Sequence, residues 1–164
     1  MEILADFKTG LKPEQKRRLA IFIDAESRRH GFDPELIVAL IFTESSFYNW
    51  STSPQGAIGL MQIIPTTGKE LAETHDIAWE GEGGPLFDPF INIQLGIHYL
   101  RTLRAKFGDL RLALTAYNYG PTSVLRWVEA GEEIPYGYAE KVLSRYEAFL
   151  DRSRPDRFRN APAV

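Results

Sequence analysis

A chain of 164 residues with 44% hydrophobic residues, 25% charged residues and a formal net charge of -3 has the size and composition of one globular domain with its own core. That excludes a disordered chain and argues against nucleic acid as a partner. With no cysteine there are no disulfides or thiolate metal sites, although the redox compartment stays open.

No stretch reaches the roughly 18 apolar residues of a membrane span. Met1 to Gly10 lack the basic-then-apolar pattern of an export signal, so no such signal is expected within this chain. Pro and Gly punctuate the sequence, and the segments between them have helical character, so the expected fold is all-α. The first helix is predicted over Pro13 to His30, with Leu19, Phe22 and Ile23 inward and Gly31 as its stop. Asp33 and Pro34 form a cap-and-start pair for a second helix through Glu44, which is apolar almost all round. A helix of that kind, too short for a bilayer, belongs at the centre of a helical domain.

From Ser45 to Pro65 the chain is rich in Ser, Gly and Pro around an apolar interior, which reads as an ordered loop on the core, followed by a short helix from Thr66 to Thr74. Glu80 to Leu86 reads as a plain linker. Asp88 and Pro89 open a helix through Lys106, stopped by Gly108, with Ile93, Ile97, Leu100, Leu103 and Phe107 inward. Asp109 caps a helix to about Asn118, Gly120-Pro121 starts one to Ala130, and a last helix runs from about Gly137 to Asp151. The expected organisation is an N-terminal helix (1–31) packing on a catalytic domain (32–150), with a flexible tail (151–164).

Glu44 is the first candidate for chemistry. Both burial and the negative end of its helix disfavour the ionised carboxyl, so its pKa should rise, as a general acid in glycoside cleavage requires. Position alone leaves open a buried Glu held only for structure. The surrounding residues are more informative. Glu44-Ser45-Ser46-Phe47, then Ser53, then Gly56-Ala57-Ile58-Gly59-Leu60-Met61-Gln62-Ile63-Ile64-Pro65, resemble the signature region of soluble lytic transglycosylases. Ala116-Tyr117-Asn118-Tyr119-Gly120-Pro121 with Val124-Leu125-Arg126-Trp127 resembles that family's second block, and Asn92, Gly96, Tyr99, Leu100 and Leu103 fit the pattern before it. Three ordered motifs are far more specific than any one of them.

The resemblance, over about Phe32 to Tyr146, implies a lysozyme-like helical fold of the goose-type kind. It also implies a monomeric, cofactor-free enzyme of the periplasm or cell envelope that acts on peptidoglycan glycan strands. In this family one Glu protonates the oxygen between N-acetylmuramic acid and N-acetylglucosamine. As a carboxylate it then takes the proton of the muramic 6-hydroxyl, which closes on the anomeric carbon. By this resemblance Glu44 is the catalytic acid and base, and Ser53, Gly59, Met61, Gln62, Tyr117 and Asn118 belong to the cleft. Tyr117 offers a phenol for Glu44 or the substrate, while Asn118 and Gln62 can bind amides; each can equally be structural, and Met61 can be core or cleft wall.

The sequence departs from the family pattern in two places. Tyr119 stands where a small residue is usual, and the segment Glu132 to Tyr138 is a shortened third block from which Tyr138 is carried over as a further cleft residue. The histidines His30, His75 and His98 lack metal-ligand spacing, so no metal is expected. Trp50, Trp79 and Trp127 are assigned to no site. Two other functions remain: a hydrolytic muramidase, which needs a second carboxylate drawn from Asp76, Glu80, Glu82 or Asp88, and a non-catalytic glycan-binding or secretion-machinery component.

Overall fold

The computed structural model describes residues 8–153. Its elements are α1 (Pro13–Arg29), α2 (Pro34–Ser45), α3 (Pro65–Thr74), a 3-10 turn (Gly84–Phe87), α4 (Pro89–Phe107), α5 (Leu110–Tyr119), α6 (Pro121–Ala130) and α7 (Gly137–Ser153). Among the described residues the fold is all-helical, with two isolated bridges, Thr52 to Ile58 and Ile58 to Ile63. No helix there is long and apolar enough to cross a membrane. The predicted tail from 151 is helical as far as Ser153, and the rest of it lies outside the described residues.

The helix starts follow from local chemistry. The side chains of Asp33, Asp88 and Asp109 accept backbone N–H bonds from Glu35, from Phe90 and Ile91, and from Leu112, satisfying donors that a helix leaves unpaired. Pro34, Pro89 and Pro121 occupy first-turn positions where no N–H is needed. The apolar face of α2 is fully used, since Leu36, Ile37, Val38, Ala39, Leu40 and Ile41 are all buried. Each large aliphatic side chain buried in this way contributes about 1.5–3 kcal/mol.

Against α2 lie α1 and α7. On the α7 side, Phe42 meets Phe149 edge-on at 6.0 Å and the Arg145 guanidinium sits 4.7 Å from the Phe42 ring centroid. Arg145 also donates to Thr43 Oγ1 at 2.8 Å. The helix α4 packs on α1, α3 and α5, and its buried residues include Ile93, Leu95, Ile97, Leu100 and Leu103. Phe107, expected inward, is only partly buried.

The segment read as a plain linker is part of the core. Leu86 is fully buried in the 3-10 turn, and Trp79 lies so close that a Cβ on Gly84 would come within 2.4 Å of its ring. A single buried Leu in a short Gly- and Pro-rich stretch has no periodicity to betray it.

Candidate active site

Glu44 is the penultimate residue of α2. The chain leaves the helix through two consecutive non-glycine residues with left-handed backbone, Ser46 (φ 50) and Phe47 (φ 64). Such geometry is costly for side-chain-bearing residues and persists only where the surroundings enforce it. Here Phe47 is fully buried, and the Ser45 hydroxyl donates to the Leu60 carbonyl at 2.8 Å. The helix end is thereby tied to the loop that forms the far side of the cleft.

That loop is organised by Asn92 of α4. From a fully buried position, its Oδ1 accepts from the Met61 N–H at 2.7 Å. Its Nδ2 donates to the carbonyls of Ile58 and Leu86, both at 2.9 Å. One amide thus replaces the partners that an irregular backbone segment would otherwise lack. Gly59 sits directly against it with φ 81, where a Cβ would lie 2.4 Å from Asn92 Nδ2 and 2.6 Å from the Leu86 carbonyl oxygen.

The loop, α3, α4, α5 and the start of α6 enclose a cleft of about 620 Å³, lined by Glu44, Ser53, Gln55, Ala57, Gln62, Ile63, Ile64, Thr67, Tyr99, Tyr117, Asn118, Tyr119, Gly120 and Pro121. Glu44 is the one carboxylate among these lining residues. Burial is the main influence on it and raises its pKa from the usual 4.5 to about 7, against the opposing effects of a hydrogen bond from Tyr138 and the positive charge of Lys141. The rise expected from the sequence is therefore present, with desolvation as its chief cause.

Of the residues named from sequence, Ser53, Gln62, Tyr117 and Asn118 share the cleft with Glu44. Gln62 has a second task, since its Nε2 donates to the carbonyls of Ser51 at 3.2 Å and Gly59 at 2.9 Å. Gly59 and Met61 do not reach the cleft wall. Gly59 is buried for close backbone packing, and Met61, fully buried, lies where a Cβ on Gly96 would come within 2.4 Å of its sulfur.

Of the partners left open for Tyr117, namely Glu44, the substrate or a structural one, the structure shows a structural one, and Glu44 is bonded by Tyr138. The Tyr117 hydroxyl donates instead to the Met61 carbonyl at 2.8 Å, and its ring packs on Tyr99 at 5.2 Å. Tyr138, in the first turn of α7, donates its hydroxyl to Glu44 Oε1. Burial and the neighbouring Glu44 push both phenols well above their usual range, so both remain protonated donors. Tyr119 lines the cleft and is held edge-on against Trp127 at 5.5 Å.

Sequence reasoning left Tyr99, Thr67, Gln55 and Ile64 without a role although they line the cleft; Tyr99 and Ile64 stood within quoted motifs, Thr67 and Gln55 did not. The three histidines are each partly buried. Distant in sequence, they converge in space: His98 lies 3.7 Å from His75 and 4.3 Å from His30, centroid to centroid. Burial, helped by the two neighbouring imidazoles, lowers the His98 pKa to about 4. None of the three lines the cleft.

The chain is 32% identical over 140 residues to the membrane-bound lytic murein transglycosylase C of Mannheimia succiniciproducens, an alignment covering 80% of this chain and 38% of that protein. It is 37% identical over 133 residues to the transglycosylase of Enterobacteria phage PRD1, covering 81% and 44%. Its fold is similar to that of the lytic transglycosylase Slt from Pseudomonas aeruginosa, solved as an inactive mutant, with TM-score 0.71, 28% identity, and 87% of this chain and 25% of that one covered. The 70-kDa soluble lytic transglycosylase of Escherichia coli gives TM-score 0.70 and 30% identity, with 81% and 24% covered. The chain thus spans less than half the length of each of these relatives. Their helical architecture is the lysozyme-like one implied by the sequence motifs. Residues 21–135 match the family model described as the transglycosylase SLT domain, and the chain belongs to that family.

Proposed function

We propose that this domain is a peptidoglycan lytic transglycosylase of the bacterial cell envelope, cleaving the β-1,4 bond between N-acetylmuramic acid and N-acetylglucosamine with Glu44 as acid and then base. The observation that carries the reading is that, among the described residues, a single carboxylate lines the cleft wall and holds its proton close to neutral pH. Family membership and the names of the relatives support the same chemistry.

Protonated Glu44 gives its proton to the bridging oxygen as the bond to the anomeric carbon breaks, which stabilises the departing N-acetylglucosamine as a neutral alcohol. The resulting carboxylate accepts the proton of the muramic 6-hydroxyl while that oxygen bonds to the anomeric carbon. Glu44 is restored, no water is consumed, and the product is a 1,6-anhydro sugar. Tyr138 steadies the carboxylate between the two proton transfers through its hydroxyl. Ser53, Gln62, Asn118 and Tyr119, all on the wall, are positioned to bind the sugars and their acetamido groups.

A hydrolase would need a second carboxylate across the cleft, roughly 6.5–9.5 Å from the acid if inverting. Asp76, Glu80, Glu82 and Asp88 are all absent from the lining residues, and Asp88 is engaged as the cap of α4. Digestion of purified peptidoglycan, followed by mass spectrometry of the soluble muropeptides, tests the reading. The expected products end in anhydromuramic acid, one water lighter than the hydrolytic ones, and vanish with Glu44→Gln. Reducing-end muramic acid would establish hydrolysis instead, and no soluble product from folded protein would establish a binding role.

A further inference from the structure

We propose that Glu26 and His30 of α1 and its end, together with His98 of α4, form a binding site for a divalent transition-metal ion, Zn²⁺ above all, with His75 at the end of α3 as a neighbouring fourth donor. The potential ligand atoms of Glu26, His30 and His98 all lie within 4.8 Å of one another. His30 Nε2 is 2.9 Å and His98 Nε2 3.9 Å from the same oxygen, Glu26 Oε1. Ligands of tetrahedral zinc, bound at 2.0–2.1 Å, stand about 3.3 Å apart, so these separations bracket the required value and small side-chain rotations suffice.

The donor set favours such an ion. Imidazole nitrogens with one carboxylate suit zinc and its neighbours in the first transition row, whereas calcium and magnesium take oxygen ligands. The site is also enclosed, with side chains 9% (Glu26), 5% (His30) and 14% (His98) exposed. His98 Nε2 is too far from Glu26 for a hydrogen bond, while its ring is packed between two other imidazoles. Three imidazoles and a carboxylate drawn from three helices have little reason to crowd together for apolar packing alone.

The Arg101 guanidinium is the element to be displaced. It lies 3.2 Å from His30 Nδ1 and can only donate, so Nδ1 accepts and the imidazole proton sits on Nε2, facing Glu26. A metal on Nε2 needs that proton moved to Nδ1, with Arg101 swinging into solvent, where its side chain is already exposed. Binding then ties α1 to α4 without involving the cleft.

Tag-free, chelator-treated protein titrated with Co²⁺ and then competed with Zn²⁺ tests the site. We expect one saturable equivalent with visible ligand-field absorption and a Kd of about 10 μM or tighter. Zn²⁺ at about a hundredfold excess over Kd should raise Tm by about 5–10 °C. His98→Gln should weaken binding by about tenfold or more, whereas Arg101→Ala, an exposed change that spares the fold, should strengthen it several-fold. Failure to saturate with the intact protein would overturn the proposal, as would affinity unchanged by both substitutions. Should His98→Gln fail to fold, the wild-type titration and Arg101→Ala decide the matter.

Discussion

Burial raises the proton affinity of Glu44 on which the proposed chemistry depends, and Tyr138 tempers it. The phenol hydrogen bond favours the carboxylate and works against burial, so Tyr138→Phe should raise the Glu44 pKa above about 7. The alkaline limb of kcat/KM should then move to higher pH, while kcat falls about tenfold, the order expected for loss of one hydrogen bond to a charged group. A pH profile that keeps its alkaline limb in place would refute the direct role of the phenol. Stability follows the same group with a definite sign. A carboxyl whose folded pKa is about 7 rather than 4.5 binds more protons in the folded state, so its contribution is fully present below about 4.5 and is lost as pH rises through 7. Glu44→Gln removes this loss. Urea unfolding should therefore show the variant gaining on the wild type between pH 4.5 and 7, by up to about 3 kcal/mol at pH 8.

Among the elements, the loop between α2 and α3 depends most on one residue. Asn92→Leu is close in size but leaves the Met61 N–H and the Ile58 and Leu86 carbonyls without their partner. The expected cost is about 3 kcal/mol or more, measurable by urea unfolding, with a larger fractional loss of activity because the cleft wall goes with the loop. The sequence marks the helices clearly, since Asp33-Pro34, Asp88-Pro89, Asp109 and Gly120-Pro121 each combine a cap or a break with an apolar run. It is silent where meaning comes from convergence. Asn92 stands out in a motif, yet nothing local tells that its amide holds three separate backbone groups. Likewise Tyr138 and Glu44 are 94 residues apart, and no local signal pairs them or tells that the Tyr117 hydroxyl bonds to Met61. The histidine cluster is the extreme case, because its members come from three helices whose packing no spacing rule encodes.

At the level of the whole molecule, the family match ends at residue 135, but the structural unit does not. The last helix contributes Ala139, Val142 and Phe149 to the common core, covers the Phe42 end of α2, and carries Tyr138. Glu44 therefore owes both its dry surroundings and its partner phenol to a segment docked from the far end of the sequence. The proposed acid, Glu44, thereby becomes a sensor of that docking. If α7 loosens, water reaches the carboxyl, its pKa drops toward 4.5, and at neutral pH the proton leaves although the other helices still stand. In a urea series at pH 7, activity should accordingly disappear at lower denaturant than the global transition seen by far-ultraviolet circular dichroism, whereas coincident curves would mean that α7 and the remaining helices melt together. If Glu44 is the acid, its proton is held at neutral pH only in a copy whose last helix is in place, so the chemistry proposed for it is confined to the fully packed domain.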